Sequence, residues 1–160
     1  MTDDAKRPAA GGATTPSSER AEWLGVLARA TREELEVALG ALDPPPRHTV
    51  LKPAETGLVM LRGRAGGTGA TFNMGEMSVT RCVVDVDSTA IGVGYVAGRD
   101  RRRAELVAIL DGALQDPARR PAIARDLLSP VALRREAARR ATACKAAATK
   151  VDFFTLVRGE

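Results

Sequence analysis

Three consecutive prolines, Pro44, Pro45 and Pro46, divide this 160-residue chain into two regimes. Each fixes φ and lacks a backbone N–H, so neither a helix nor a central strand can run through them. The stretch before them is patterned for helix. Ser17 or Ser18 can cap a first helix whose apolar line is Trp23, Val26, Leu27 and Ala30. Thr31 followed by Glu34 makes a capping box, which predicts a second helix with the stripe Leu35, Ala38, Leu39 and Leu42. Residues 1–16 are small, polar and rich in Ala, Gly and Pro; they are expected to be a disordered tail, leaving 17–160 as one domain.

After the prolines the pattern turns to sheet. The runs 49–52, 58–64, 77–86 and 91–97 are rich in Val, Thr, Ile and Met and are separated by Gly-containing breaks. They predict four strands, and their short connections favour an antiparallel sheet. In the third run Met77, Val79, Arg81, Val83 and Asp85 share one face, while Ser78, Thr80, Cys82, Val84 and Val86 share the other. Neither face is purely apolar, so the buried side stays open at this point.

Helical patterning then returns. Asp100 can start a helix to about Leu114 whose apolar positions spread over a wide arc, as in a largely buried helix. Residues 118–127 suggest a short helix, and Ser129 with Pro130 reads as a cap and first turn of a long last one. Along it Leu133, Ala137, Ala141, Cys144 and Ala148 form a narrow seam that another helix can approach closely. The run 152–157, DFFTLV, is apolar and is expected to dock on the sheet or on a partner. The expected class is α+β: an N-terminal helix pair, a central, mainly antiparallel four-stranded sheet, and C-terminal helices.

Aromatics are scarce, limited to Trp23, Tyr95 and three Phe, so the core must rest on Val, Leu, Ile and Ala. A core of that kind buries less area per residue, and a partner is expected to supply part of the stability. Charge is unevenly placed. Residues 1–98 hold ten basic and twelve acidic side chains; residues 99–150 hold thirteen and six. The basic half suits an acidic partner, phosphate-bearing ligands or nucleic acid, or is simply a solvated Arg-rich surface. Nucleic acid is disfavoured, because that half has no base-stacking aromatic before Phe153. Cys82 and Cys144 stand far apart and His48 is the sole histidine, so neither a disulfide framework nor a metal site is expected. No apolar run approaches membrane-spanning length and no signal-peptide pattern opens the chain, so a cytoplasmic location is expected.

The segment most suggestive of chemistry is Arg62 to Glu76, RGRAGGTGATFNMGE. It predicts a connection of about eleven residues between two strands, long for a hairpin. Gly66, Gly67 and Gly69, with Thr68, can let backbone N–H groups converge on an anion, and Arg62 and Arg64 can grip phosphate oxygens with their forks. Asn73, Glu76, Arg81 and Arg99 complete the candidate phosphate or partner contacts. The alternative is structural: a bent connection crossing another backbone. No Gly-Lys-Ser/Thr follows, and no strand–loop–helix unit surrounds the glycines, so neither common nucleotide-binding loop is present. Asp100 is more simply a helix cap than a ligand contact. Glu55, Glu76 and Asp85 are possible acid–base groups, yet nothing pairs any of them with a nucleophile, base or metal ligand. His48 reads as a surface residue.

The run PAETGLVMLRGRAGGTGATFNMGE (53–76), continued by MSVTRC, resembles the signature of the PhnG family, one of the component chains of carbon–phosphorus lyase. GYVAGRD (94–100) followed by AEL resembles that family's second block, and the ending DFFTLVRGE its C-terminus. With Trp23 and Leu27, the resemblance spans roughly residues 21–160. It implies a subunit of a multi-subunit transferase, assembled with subunits H, I and J (PhnH, PhnI and PhnJ) and associated with subunits K and L (PhnK and PhnL). The implied reaction transfers the ribose triphosphate moiety of MgATP to methylphosphonate with release of adenine, and PhnI is the implied catalyst. MgATP is then a substrate of the complex, and no cofactor is expected on this chain alone. Two lone cysteines cannot by themselves hold a four-iron cluster. The resemblance carries no catalytic residue onto this sequence.

Overall fold

A computed structural model describes residues 16–64 and 69–149, apart from the side chains of 16–18. The chain order is α1 (Pro16–Leu27), α2 (Arg32–Gly40), β1 (His48–Arg64), β2 (Thr71–Val86), β3 (Ala90–Ala97), α3 (Arg101–Leu114), α4 (Arg120–Ile123) and α5 (Ser129–Ala148). A π-helical turn, Ala124–Leu128, joins α4 to α5. Of the tail expected at 1–16, Pro16 belongs to α1, and residues 1–15, like the segment 152–157, lie outside the described residues.

The α+β class holds, but the sheet has three strands in the order β1-β2-β3, not four. The two segments expected at 49–52 and 58–64 are one continuous strand. Pro53, which suggested a break, sits where the β1–β2 register slips between Lys52 and Glu55. A proline with no N–H to offer is tolerated at a bulge on an edge strand. β2 likewise begins at Thr71 rather than Met77, so the connection expected to be about eleven residues long reduces to 65–70. A further slip, between Leu61 and Arg62, lies beside Gly75, whose φ of 151° is costly for other residues.

The helical half follows its local signals at α2 and α3, whereas α1 already runs from Pro16, ahead of the cap expected at Ser17 or Ser18. The Thr31 hydroxyl accepts from the Glu34 N–H at 3.3 Å, and the Glu34 carboxylate accepts from the Thr31 N–H at 2.7 Å. Asp100 caps α3 by accepting from the Arg103 N–H at 2.9 Å. The expected cap at Ser129 is absent. Leu128 and Ser129 are both helical, and the Ser129 hydroxyl donates instead to the Ala124 carbonyl at 2.9 Å. The widened π turn carries the chain past Pro130 without a break.

α3 is the centre of the molecule. One side packs on β2 and β3, and the other receives α1 and α2. From Ala104 to Leu114 every residue but Glu105 is buried, because this helix is covered on both sides. The buried sheet face, left open by the alternation, is the one carrying Cys82, Val84 and Val86. Gly92 and Gly94 of β3 set the spacing. A Cβ on Gly92 would stand 1.9 Å from the Ala108 carbonyl oxygen, and one on Gly94 1.9 Å from that of Ala104. On the helix side Gly112 lies under Val86, where a Cβ would meet Cγ2 at 2.3 Å. Backbone thus packs on backbone between strand and helix.

Asp111, fully buried on α3, locks the layers together. Its carboxylate accepts from the Trp23 indole N–H at 2.8 Å, from two Arg20 N–H groups at 3.2 and 2.7 Å, and from the Val93 N–H at 2.9 Å. Four donors on one buried carboxylate satisfy its desolvated charge. They also tie α1 to the edge of β3.

Ion pairs at the surface give the fold a defined acid sensitivity. The Arg32 guanidinium, and next the Arg103 N–H, hold the Asp100 carboxyl below the usual carboxylate range. Arg119, and next the Arg47 N–H, do the same for Asp87. A depressed folded-state pKa stabilises the fold above the unfolded value, and that stability is lost as pH falls through the folded one. Thermal stability should therefore decline below about pH 4. Asp100→Asn should be less stable at pH 7 and show a shallower loss between pH 5 and 3, measured by thermal melts across that range.

Candidate functional site

The sheet is not covered along its whole length. β3 stops pairing at Ala97, opposite Val79, while β1 and β2 continue together to Arg64 and Thr71. The outer part of this hairpin, 57–64 with 71–78, therefore projects as a two-stranded arm, touched at its base by Gly98, whose N–H donates to the Ser78 carbonyl at 2.8 Å. A lone hairpin with exposed apolar side chains is marginal in water. Here Leu58, Met60, Leu61, Phe72 and Met74 are all exposed large hydrophobics. Met74 lies across Gly63, where an added Cβ would meet its sulfur at 2.1 Å.

The candidate residues distribute along this arm and its base. Arg62 and Arg64 alternate onto one face near the tip, and Asn73 pairs with Arg62 in the ladder. The Arg62 guanidinium donates to the Thr71 hydroxyl at 3.1 Å, and neither arginine forms an ion pair among the described residues. Gly69 is a bend just before β2, whereas Gly66, Gly67 and Thr68 lie outside the described residues. Glu76 is not in a loop: it is exposed on β2 opposite Met60. Arg81 is committed to a cross-strand pair with Glu55 at 2.6 Å, which Lys52 joins at 3.2 Å. Arg81 first, then Lys52, holds the Glu55 carboxyl below its ordinary value, so Glu55 is a poor proton carrier at neutral pH.

Arg99 belongs elsewhere. With Arg101, Thr56, Gly57, Leu58 and Ser78 it lines a shallow depression of about 500 Å³ where the arm leaves the body. The tip arginines are remote from it: Arg64 lies six strand residues beyond Leu58, roughly 20 Å at about 3.3 Å per residue. Arg62 and Arg64 therefore form one basic group and Arg99 with Arg101 another. The structure does not bring them onto a single small ligand.

The charge run 101–103 is divided among structural tasks. Arg103 donates to the carbonyls of Ala28 and Ala30, closing the end of α1. Arg102 pairs with Glu105 at 3.0 Å and with Glu36 at 3.8 Å. Only Arg101 faces the depression.

The described titratable residues do not assemble into a recognisable catalytic constellation. Among the described residues no three His, Cys, Asp or Glu side chains are placed to hold a metal ion. Burial, and next Glu105, pushes the Cys82 thiol up, and its sulfur donates to the Lys52 carbonyl at 3.4 Å. It is a core thiol, not a nucleophile. His48 approaches Glu105 at 3.8 Å. Asp85 lines a second cavity of about 450 Å³ with Arg47, His48, Asp87 and Arg119, and its Oδ1 is buried without a partner among the described residues. Arg119 there is already bound to Asp87.

Sequence reasoning missed Asp111 and the Gly92/Gly94 seam. The glycines had a readable signal: they alternate on one strand face, and Ala104, Ala108 and Gly112 recur every four residues on the helix that follows. Two narrow stripes of matching length point to close packing. Asp111 had only the weak signal of an acidic residue inside an apolar helical arc.

The family model described as Phosphonate metabolism protein PhnG matches residues 18–159. Alpha-D-ribose 1-methylphosphonate 5-triphosphate synthase subunit PhnG of Rhizobium meliloti (strain 1021) is 44% identical over 143 residues, covering 89% of this chain and 91% of its own.

Proposed function

The chain belongs to the PhnG family of phosphonate-metabolism proteins, and we propose that it is a non-catalytic subunit of a ribose 1-methylphosphonate 5-triphosphate synthase. The observation that carries this reading is the 44% identity, over nearly the full length of both chains, to a subunit of that enzyme. The reaction of the complex is the transfer of the ribose triphosphate moiety of MgATP to methylphosphonate, with adenine released. The other chains are PhnH, PhnI and PhnJ, with PhnK and PhnL associated.

The fold supports an assembly role by placing a projecting arm with five large exposed apolar side chains on the outside. Surface of that kind is typical of a chain that is finished by its neighbours. Co-expression of the full chain with PhnH, PhnI and PhnJ, followed by size-exclusion chromatography, tests the reading. A co-eluting complex is expected. A folded monomer that elutes alone at micromolar concentrations would refute it.

A second reading rests on the arm's tip. Arg62 and Arg64, on one face and without ion-pair partners among the described residues, are available to an anion outside the chain. In this reading the segment from Arg62 to Glu76 holds triphosphate or phosphonate oxygens in a site shared with another subunit. Arg62→Gln with Arg64→Gln should then lower kcat/KM of the assembled synthase about tenfold or more, since hydrogen bonds to charged groups are strong. Unchanged kcat/KM in an intact variant complex would restrict the arm to assembly.

A further inference from the structure

α5 is the least supported element of the fold. Val131 is buried in the body, but from Ala132 to Thr149 every residue except half-buried Arg135 is exposed, over a helix about 30 Å long. Past Val131, its tether to the body among the described residues is Arg134, which pairs with Glu34 and donates to the Arg29 carbonyl at 3.3 Å. Rich in Ala, Arg, Leu and Lys, it can hold its helix with little tertiary packing. What it leaves open is a long exposed surface.

Its surface says what kind of partner. Leu133, Ala137, Ala141, Cys144 and Ala148 make a straight, narrow seam on which a second backbone can close to short range. The seam has charged rims. Lys145 lies one turn beyond Ala141, and Arg140 one turn before Cys144. In all, Ser129–Ala148 carries five basic side chains and one acidic one, Glu136, which is held by Arg140 at 3.1 Å. Arg135 is held below the ordinary arginine value by desolvation first and then by Arg29 and Arg139, so positive charge is crowded here.

These features exclude other occupants. Two copies of α5 would each bring a net charge of +4, five basic less one acidic, and would repel. A membrane surface needs a broad face of large apolar side chains, and the exposed seam has Leu133 alone. A nucleic acid would use the rims but leave the seam wet, since the helix carries no aromatic to stack on bases.

We infer that α5 docks lengthwise into an acidic-walled groove on another subunit of the synthase, its alanine seam on the groove floor and Arg140 and Lys145 against the walls. This rests on the subunit reading above and adds to it the surface and the chemistry of the partner. Depleted bulk and complementary charge together fix both depth and register of the helix.

The test uses the full chain co-expressed with PhnH, PhnI and PhnJ, and variants added back to the remaining subunits. Ala141→Gln keeps helix propensity but fills the seam, and is expected to raise the Kd of assembly about tenfold. Ala146→Gln, on the opposite side, should change it by no more than about twofold. Lys145→Glu should weaken assembly, and the wild-type Kd should rise with salt. If the wild-type chain assembles and Ala141→Gln and Lys145→Glu assemble equally well, the docking inference is overturned while the subunit reading stands. If the wild-type chain does not assemble at all, the subunit reading itself fails. Loss of the association on nuclease treatment would assign the helix to nucleic acid and also overturn the inference.

Discussion

Gly94→Ala should destabilise the isolated chain by about 3 kcal/mol, at the upper end for an inserted methyl group. The new Cβ would stand 1.9 Å from the Ala104 carbonyl oxygen and 3.1 Å from the Ala108 N. Both obstacles are backbone, so no side chain can rotate away. α3 itself would have to lift from β3, and α3 carries the packing of both α1 and α2 on its far side. The strain would spread through the whole core. Gly57→Ala is the matched control: it is also a strand glycine, but no atom lies within 4 Å of its Cβ position. Urea unfolding of the two variants should show a large loss for the first and almost none for the second. Equal stability would mean that strand and helix are not in backbone contact.

Asp111→Ala should cost a similar amount, about 3–5 kcal/mol, through electrostatics rather than shape. The substitution strips the partner from the Trp23 indole N–H, which is buried, and from the Val93 N–H. It also leaves Arg20, which donates to the Ile91 carbonyl at 2.8 Å, without its carboxylate. An unpaired buried donor costs its full desolvation. Arg20→Gln should be milder, because Asp111 keeps the Trp23 and Val93 donors and Arg20 itself is partly exposed. Thermal melts should order the proteins wild type, then Arg20→Gln, then Asp111→Ala. The last should melt lower by roughly 10 °C or more. If Asp111→Ala melted with the wild type, the cluster would not be holding α1 to the sheet.

Local signals were legible wherever one short stretch of chain settles its own geometry. The capping box at Thr31 and Glu34 and the cap at Asp100 each need only a few neighbouring residues, whereas α2 stops at Gly40, before Leu42 and the prolines expected to end it. The wide apolar arc of α3 was also legible, since a helix covered on both sides must be apolar nearly all round. Where a partner element decides, the reading failed. Pro53 looks like a break until β2 is laid beside it and a bulge absorbs the missing donor. Thr71–Glu76 looks like loop because Asn73 and Gly75 are poor strand formers; pairing with β1 makes it strand. Ser129 looks like a cap because nothing local announces the π turn before it.

The candidate site divides in the same way. The family blocks pointed to the run from Arg62 to Glu76, and the structure sets its described residues, 62–64 and 69–76, on or beside a projecting arm. Chemistry read residue by residue could not tell Arg81, spent on Glu55, from Arg62 and Arg64, which make no ion pair among the described residues. Nor could it separate Arg99 at the base from the arginines at the tip.

By itself the sequence determined the family, the helix–sheet–helix order and the starts of α2 and α3. These depend on dihedral preference, capping and periodicity, all of which act within a few residues. Only the tertiary structure decided that β1 is one strand, that Asp111 is the buried tie between α1 and β3, and that the arm and α5 stand uncovered. Those outcomes depend on which surfaces remain after distant segments have packed, and burial is a property of the assembled chain, not of any residue in it.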